Sequence, residues 1–230
     1  MCKVICLDFW DTIYSNDNSA ERHQYIQSYI SEKFVIPQET VKSLLEKYNY
    51  LNRDKQISLL DRLTYIENML QIKISDEKKK EAEKNISASV LKFPPQLFEG
   101  CSEFLSKISL KNKVFLVSNT NYSYGYDLKK ILQKDGLFNY FDDFFFSDEL
   151  KMRKTNDLLF EHIIKKHNLL KNQNYFIGDS ERNDIIPALK HDFYCIKKCS
   201  KRNINKETLA QYKFLEYNEL FRFFEDRGVI

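Results

Sequence analysis

The sequence predicts an α/β protein: a parallel sheet covered by helices on both faces, with an all-helical unit inserted after the first strand. Three observations carry this. From residue 93 onward, short apolar runs alternate with amphipathic helical stretches, the pattern of a parallel sheet buried on both sides. Between the first and second apolar runs lie about 75 residues with helical periodicity and no credible strand. Finally, several of the apolar runs stop at residues able to do chemistry, among them Asp8, Ser118 and Asp179.

The first strand is read over residues 3–7, where Val4, Ile5, Cys6 and Leu7 run apolar and end at Asp8. A polar turn follows at 15–19. Four helical stripes come next: Ile26, Tyr29, Ile30 and Phe34; Val41, Leu44, Leu45 and Tyr48; Leu59, Leu63, Ile66 and Leu70; and a weaker Ala82, Ile86 and Val90. Pro94 and Pro95 punctuate the end of this block. The second half then predicts a helix over 98–108, a strand over 114–117 ending at Ser118, and a helix over 126–133 with Gly136 as its stop signal. A short strand at 144–146 and a helix around Leu159, Phe160, Ile163 and Ile164 follow. The rest is a strand over 175–177 ending at Gly178-Asp179, a helix over 185–189, a last core strand over 193–196 and a closing helix over 219–227. The expected division is a split core of residues 1–14 and 93–230 with a helical domain of residues 15–92 between.

Composition excludes several classes. Hydrophobic residues make up 43% and charged residues 30%, as in a soluble globular protein. The 36 basic and 33 acidic residues are interleaved, giving a net charge of +3 that does not suit a dedicated nucleic-acid binder. The mixed-sign run 77–84 reads as a solvated helix face. Cys2, Cys6, Cys101, Cys195 and Cys199 are odd in number and form no Cys-x-x-Cys pair, which predicts a reducing compartment without structural disulfides. The scattered His23, His162, His167 and His191 do not form a zinc pattern. The N-terminus lacks the features of a signal peptide, and no window approaches the roughly 18 apolar residues that span a bilayer. A cytoplasmic protein with no membrane partner is the expectation.

In a parallel α/β sheet, ligands sit beyond the carboxyl ends of the strands, so those ends carry the chemistry. Here they hold Asp8-Phe9-Trp10-Asp11-Thr12, Ser118-Asn119-Thr120, Lys154, and Gly178-Asp179-Ser180-Glu181-Arg182-Asn183-Asp184. Together these supply a carboxylate nucleophile, a hydroxyl, an ammonium and further carboxylates. The set suits phosphoryl transfer: an aspartate can attack phosphorus once a divalent cation screens both charges. A lysine and a hydroxyl can hold the phosphoryl oxygens as charge shifts. Hard oxygen ligands favour Mg²⁺.

The order and spacing of these motifs resemble the haloacid dehalogenase (HAD) superfamily. Asp8 and Thr12 match the outer positions of its Asp-x-Asp-x-Thr motif, and Val117-Ser118-Asn119 matches its second motif. Ser147-Asp148-Glu149-Leu150-Lys151-Met152-Arg153-Lys154-Thr155 matches its lysine motif, with Thr155 in place of a proline, and Gly178-Asp179-Ser180 with Asp184 matches the fourth. The resemblance covers nearly the whole chain. It implies a Rossmann-like core and a helical cap folded over the active site. It also implies Asp8 as the nucleophile that becomes an aspartyl-phosphate, and Mg²⁺ held by Asp8, Asp179 and the backbone carbonyl of Trp10. Ser118, Asn119 and Lys154 would bind the phosphoryl group of a small phosphorylated substrate, with Trp10 facing that substrate, and Lys154 would offset the charge of Asp8. Asp184 would be a supporting or metal-side acid, and Thr12 would brace the turn.

One departure matters. The family's phosphatases place a second aspartate two residues after the nucleophile, to protonate the leaving group and then activate water; Trp10 stands there and can do neither. General acid–base help is typically worth about 10² to 10⁴ in rate. Asp11 is the nearest substitute, although in an extended segment its side chain would point to the other side. The family's dehalogenases also carry an aromatic residue at this position, but they do not use Mg²⁺ or keep both acids of the fourth motif. The leading expectation is therefore a Mg²⁺-dependent phosphohydrolase or phosphotransferase, impaired or restricted by Trp10. A catalytically inactive ligand- or partner-binding protein is the alternative, and haloacid dehalogenation a third. Plainer structural roles stand beside the catalytic ones: Ser118 as a helix cap, Lys154 as a solvated lysine, Asp184 as a partner of the helix dipole, and Trp10 as packing; Tyr122, Tyr124 and Tyr126, after the second motif, are candidates to line the pocket or ordinary aromatic loop residues.

Overall fold

A computed structural model describes residues 3–53 and 55–230, so Cys2 lies outside the described residues. The apolar run after the N-terminus forms β1 (Val4–Leu7), buried along its whole length. Its neighbours on one side are β2 (Lys113–Ser118) and then β3 (Asp143–Phe146); on the other are β4 (Tyr175–Gly178), β5 (Tyr194–Lys198) and β6 (Tyr212–Phe214). The strand order is β3-β2-β1-β4-β5-β6, and every pair is parallel. This is a six-stranded Rossmann-like α/β sheet with β1 at its centre.

Because side chains alternate across a strand, one run of sequence feeds two cores. Ile5, Leu7, Val114, Leu116, Tyr175 and Ile177 face one side; Val4, Cys6, Phe115, Val117 and Phe176 face the other. The first face is covered by α6 (Cys101–Ile108), α7 (Gly125–Lys134) and α11 (Tyr217–Asp226), and the second by α9 (Asp157–His167) and α10 (Ile186–Lys190). A single turn of helix, α8 (Ser147–Leu150), follows β3 directly.

The block after β1 is helical: α1 (Ser19–Phe34), α2 (Gln38–Leu51), α3 (Leu59–Leu70), α4 (Asp76–Ser87) and the short α5 (Ser89–Lys92). The apolar stripes of α1 to α4 close on one another in a third core, joined by Tyr122 from the loop after β2. Ser58 and Asp61 form a reciprocal capping box that starts α3. In the charged run on α4 only Ala82 is buried. Cys6, Cys101, Cys195 and Cys199 are free and buried. No helix among the described residues is long and apolar enough to cross a membrane.

Three elements differ from the sequence expectation. The strand around Phe193 is not the last: β6 adds an edge of three residues, of which only Phe214 is buried, too short to show a period. The helix expected over 98–108 starts only at Cys101, because Gly100 takes a left-handed conformation at φ 76° and turns the chain before the helix begins. The fourth stripe is interrupted, with α4 ending at Ser87 and Val90 belonging to α5.

Candidate active site

Register decides what meets at the sheet's carboxyl end. Leu7 pairs with Leu116 of β2 and Ile177 of β4, so the residues just beyond these positions emerge side by side. The Asp8 N–H donates to the Ile177 carbonyl at 2.9 Å, extending the β1–β4 pairing by one residue. After β4 the chain makes a π-helical turn, Glu181–Ile185, with Ser180 at its head. Its Asp184 carboxylate folds back to accept from the Ser180 N–H at 2.9 Å. A β-carbon at Gly178 would lie 2.5 Å from the Asp184 side chain, so only glycine lets Asp184 reach inward.

Lys154 arrives from the loop after α8 and is 2% exposed. Its Nζ lies 2.5 Å from Asp8 Oδ1 and 2.5 Å from Asp184 Oδ1. A solvated lysine is excluded by that burial, and Asp184 acts on a side chain rather than on a helix end alone. The backbone N–H of Lys154 donates to Asn119 Oδ1 at 2.9 Å, which ties the lysine loop to the end of β2. A second clasp runs beside it: the Thr120 N–H donates to Ser147 Oγ at 2.8 Å, and the Thr120 hydroxyl to Asp148 at 2.7 Å.

Asp8, Asp179 and Asp184 each present an oxygen, and these lie within 4.8 Å of one another. Three carboxylates and one ammonium, if all are ionised, leave two negative charges uncompensated where Asp8, Asp184 and Lys154 are buried, a costly state. Burial, partly relieved by Lys154 and worsened by Asp184, pushes Asp8 up to about 7. Burial, with Asp184 and Asp8 beside it, pushes Asp179 up to about 8. Lys154 is also raised: burial disfavours its charge, but Asp184 and Asp8 outweigh that. A divalent cation would remove the excess, and a set of hard oxygens fits one such as Mg²⁺.

Two donors beside this cluster make no hydrogen bond within the protein: the Ser118 hydroxyl and the Asn119 side-chain amide, both buried. Ser118 caps no helix, since α7 begins seven residues later with Tyr124 at its N-cap position. An unmet buried donor costs about 1–3 kcal/mol, so a pair of them at a strand end points to a ligand.

The turn after Asp8 is closed by its backbone. The Ile13 and Tyr14 N–H groups donate to the Phe9 carbonyl, and Asp11 N–H donates to the Tyr14 carbonyl at 2.6 Å. Asp11 is not extended: its φ is 53°, the left-handed region that Asp tolerates. The alternation argument therefore does not apply to it. Its carboxylate accepts from the Asn16 N–H at 3.0 Å, and the residue lines with Asp179, Lys198 and Lys201 a cavity of about 410 Å³. Thr12 holds the turn through its carbonyl, which accepts from the buried Tyr217 hydroxyl at 2.8 Å; its own hydroxyl has no partner.

Trp10 is half-buried, edge-on to Phe9 at 4.8 Å between ring centroids, with the Arg22 guanidinium 4.8 Å over its ring. It forms one wall of a cavity of about 150 Å³ between the sheet's end and the helical unit, which Asn119 and Tyr122 also line. Tyr124 instead bonds Glu83 and the Leu59 N–H, and Tyr126 is exposed. Sequence reasoning passed over Arg22 and Arg62. Both fall on the buried faces of their helices, four residues before Ile26 and three after Leu59, and a cation inside an apolar stripe was the readable signal.

Comparison with known proteins bears on the family and the fold. A family model described as haloacid dehalogenase-like hydrolase matches residues 2–192. Comparison with curated protein sequences returns no match. Among solved structures, a magnesium-bound protein from Bacillus subtilis described as a HAD-hydrolase is similar at 16% identity and TM-score 0.67, over 97% of this chain and 99% of that one. A 2-haloacid dehalogenase from Pseudomonas syringae pv. Tomato is similar at 14% identity and TM-score 0.74, over 99% and 100%. A HAD phosphatase from Thermococcus onnurineus is similar at 16% identity and TM-score 0.69, over 96% and 97%. At these identities the likeness is one of fold.

Proposed function

This chain belongs to the haloacid dehalogenase-like hydrolases, and within that family we propose that it is a Mg²⁺-dependent phosphohydrolase or phosphotransferase acting on a small phosphorylated metabolite. The observation that carries the reading is the overcharged cluster of Asp8, Asp179 and Asp184 around Lys154, set beside the unmet donors of Ser118 and Asn119. Anionic carboxylates that need a cation, next to donors that need an anion, describe the two halves of a metal–phosphoryl site.

In this reading Asp8 attacks phosphorus and becomes an aspartyl-phosphate. Lys154, already between Asp8 and Asp184, swings its charge toward the phosphoryl oxygens as Asp8 loses its own. Ser118 and Asn119 donate to the same oxygens. Asp8 and Asp179 would hold the cation together with the Trp10 carbonyl, which accepts no bond from the turn's own N–H groups. When bound, Mg²⁺ screens the charge between carboxylate and phosphate. Asp184 stays behind as the partner that aims Lys154. The helices of residues 15–92 serve as a cap that limits substrate size, over a core of residues 1–14 and 93–230.

The dehalogenase reading gains from Trp10, an aromatic residue after the nucleophile, but leaves the acidic cluster without a purpose. Turnover of p-nitrophenyl phosphate under Mg²⁺ titration separates the two. Activity that rises with Mg²⁺, is lost with chelator and is weakened in Asp179→Asn supports the phosphohydrolase. Chloride release from a 2-chloro acid without metal, and no phosphate release, would replace it.

A further inference from the structure

The cavity between Trp10 and the helical unit has a lining of one chemical sign. Arg22 is 6% exposed, lines this cavity, and has no carboxylate within ion-pair distance among the described residues. Its guanidinium donates to the Phe93 carbonyl at 3.1 Å and to the Asn16 side-chain oxygen, both neutral, and stacks on the Trp10 ring. Ser89, fully buried in the same wall, has a hydroxyl with no partner, and so has the Asn119 amide. No Asp or Glu lines the cavity. Arg62, with four neutral oxygens around it, is saturated; Arg22 reaches only two, Glu21 and Asp11 act on it without touching it, and beside two unmet donors its spare N–H groups mark an anion site.

That site adjoins the place where the leaving group of a phosphoryl transfer on Asp8 must sit, and it contains no acid to protonate that group. We propose that the substrate is an acyl phosphate, whose leaving group departs as a carboxylate into this cavity and is received by Arg22 with Ser89. The assignment rests on the phosphohydrolase reading above and names its substrate class. An Asp8 oxygen forms the new bond to phosphorus. The bond from phosphorus to the acyl oxygen breaks, and its electron pair stays on that oxygen, leaving a carboxylate that needs no proton. Water then attacks the aspartyl-phosphate; the Asp8–phosphorus bond breaks with its pair returning to Asp8, and both water protons remain on the product, dihydrogen phosphate. The planar guanidinium matches a carboxylate in two-point geometry, and a cavity of about 150 Å³ admits a short acyl chain.

The test is a leaving-group series on the unaltered protein with Mg²⁺: acetyl phosphate, ethyl phosphate of nearly the same size, pyrophosphate, and p-nitrophenyl phosphate as a check on the chemistry itself. Acetyl phosphate should exceed ethyl phosphate in kcat/KM by about 100-fold or more, the range of general-acid help that only the ester lacks, and should exceed pyrophosphate. Arg22→Gln should lower kcat/KM for acetyl phosphate by about 10- to 100-fold, as for loss of a charged hydrogen-bond partner, and that for p-nitrophenyl phosphate by distinctly less, because nitrophenolate spreads its charge over the ring and offers no two-point carboxylate. Calorimetry with acetylphosphonate should show the same loss of binding in Arg22→Gln and a smaller one in Ser89→Ala. Equal turnover of ethyl and acetyl phosphate, a preference for pyrophosphate, or an Arg22→Gln effect of equal size on every substrate overturns the proposal while the phosphohydrolase stands. Failure on all four compounds overturns both.

Discussion

Two nearly inaccessible cations anchor the two halves of this molecule, and they are treated in opposite ways. Lys154, at the sheet's carboxyl end, lies against two carboxylates, Asp8 and Asp184, with Asp179 close by. Arg62, inside the helical unit, meets only neutral acceptors: Asn49 Oδ1 at 3.0 Å, the Ile57 and Ser58 carbonyls at 3.2 and 3.0 Å, and Asn121 Oδ1, with the Tyr122 ring 4.5 Å away. Arg62 has oxygen partners from three directions, a permanent bracket from α3 to α2 and to the loop after β2. Lys154 sits in a surplus of negative charge that a cation and a phosphoryl group would rearrange. The first arrangement is fit for structure, and the second for exchange.

Breaking the comparison at its active end should have the largest effect. Asp8→Asn keeps size and shape but removes the proposed nucleophile, so turnover should fall by about 10⁴ or more. Circular dichroism and thermal melting should show an intact fold, because the change also removes one charge from an overcharged cluster. Retained turnover in a purified variant would place the nucleophile elsewhere. At the structural end, Arg62→Met strands the Asn49 and Asn121 side chains and the two carbonyls. A loss of about 3–5 kcal/mol in urea unfolding is expected, of the size seen when one partner of a buried polar network is removed. A loss below about 1 kcal/mol would show that the bracket is dispensable.

A subtler effect concerns Trp10. Trp10→Asp restores a proton donor beside the leaving group, and should raise turnover of ethyl phosphate by about 10²-fold while changing that of acetyl phosphate much less. Equal gains would show that the indole acts only by filling space.

The smallest effect is on stability as a function of pH. Asp8 and Asp179 are raised to about 7 and about 8, above the ordinary carboxylate value near 4 that they take when unfolded. Without metal, the folded protein therefore holds protons that the unfolded chain has already released. These two groups make stability fall as pH rises from about 4 to about 8 and level off above. Mg²⁺ competes with those protons, so its gain in melting temperature should be larger at about pH 8.5 than at about pH 5.5. A gain independent of pH would remove Asp8 and Asp179 from the cation site. Asp184, Asp11 and Lys154 face the same cluster and are retained throughout.

The active end was largely legible in the sequence because its parts sit at strand ends, where position in the chain dictates position in space. An apolar run that stops at Asp8, another at Ser118 and another at Gly178-Asp179 need only parallel pairing to meet. Lys154 was legible by its motif, although its burial was not, since burial depends on how α8 and the following loop fold back. The cavity was illegible for a different reason: Arg22, Ser89 and Asn119 come from α1, α5 and the end of β2, and no local pattern brings them together. Arg22 left a trace as a cation in an apolar stripe. Ser89 left none, being a hydroxyl in a single turn of helix. Asp11 misled through its backbone, because an acid in a left-handed turn cannot be told by residue type from one in an extended segment.

The most direct test of the account is to catch the covalent intermediate. Protein incubated with Mg²⁺ and acetyl phosphate, quenched in acid and digested, should yield a peptide carrying one added phosphoryl group on Asp8, sensitive to hydroxylamine and missing from Asp8→Asn. Turnover of acetyl phosphate with the phosphoryl group on another residue, or with Asp8→Asn labelled as fully as the unaltered protein, would contradict it.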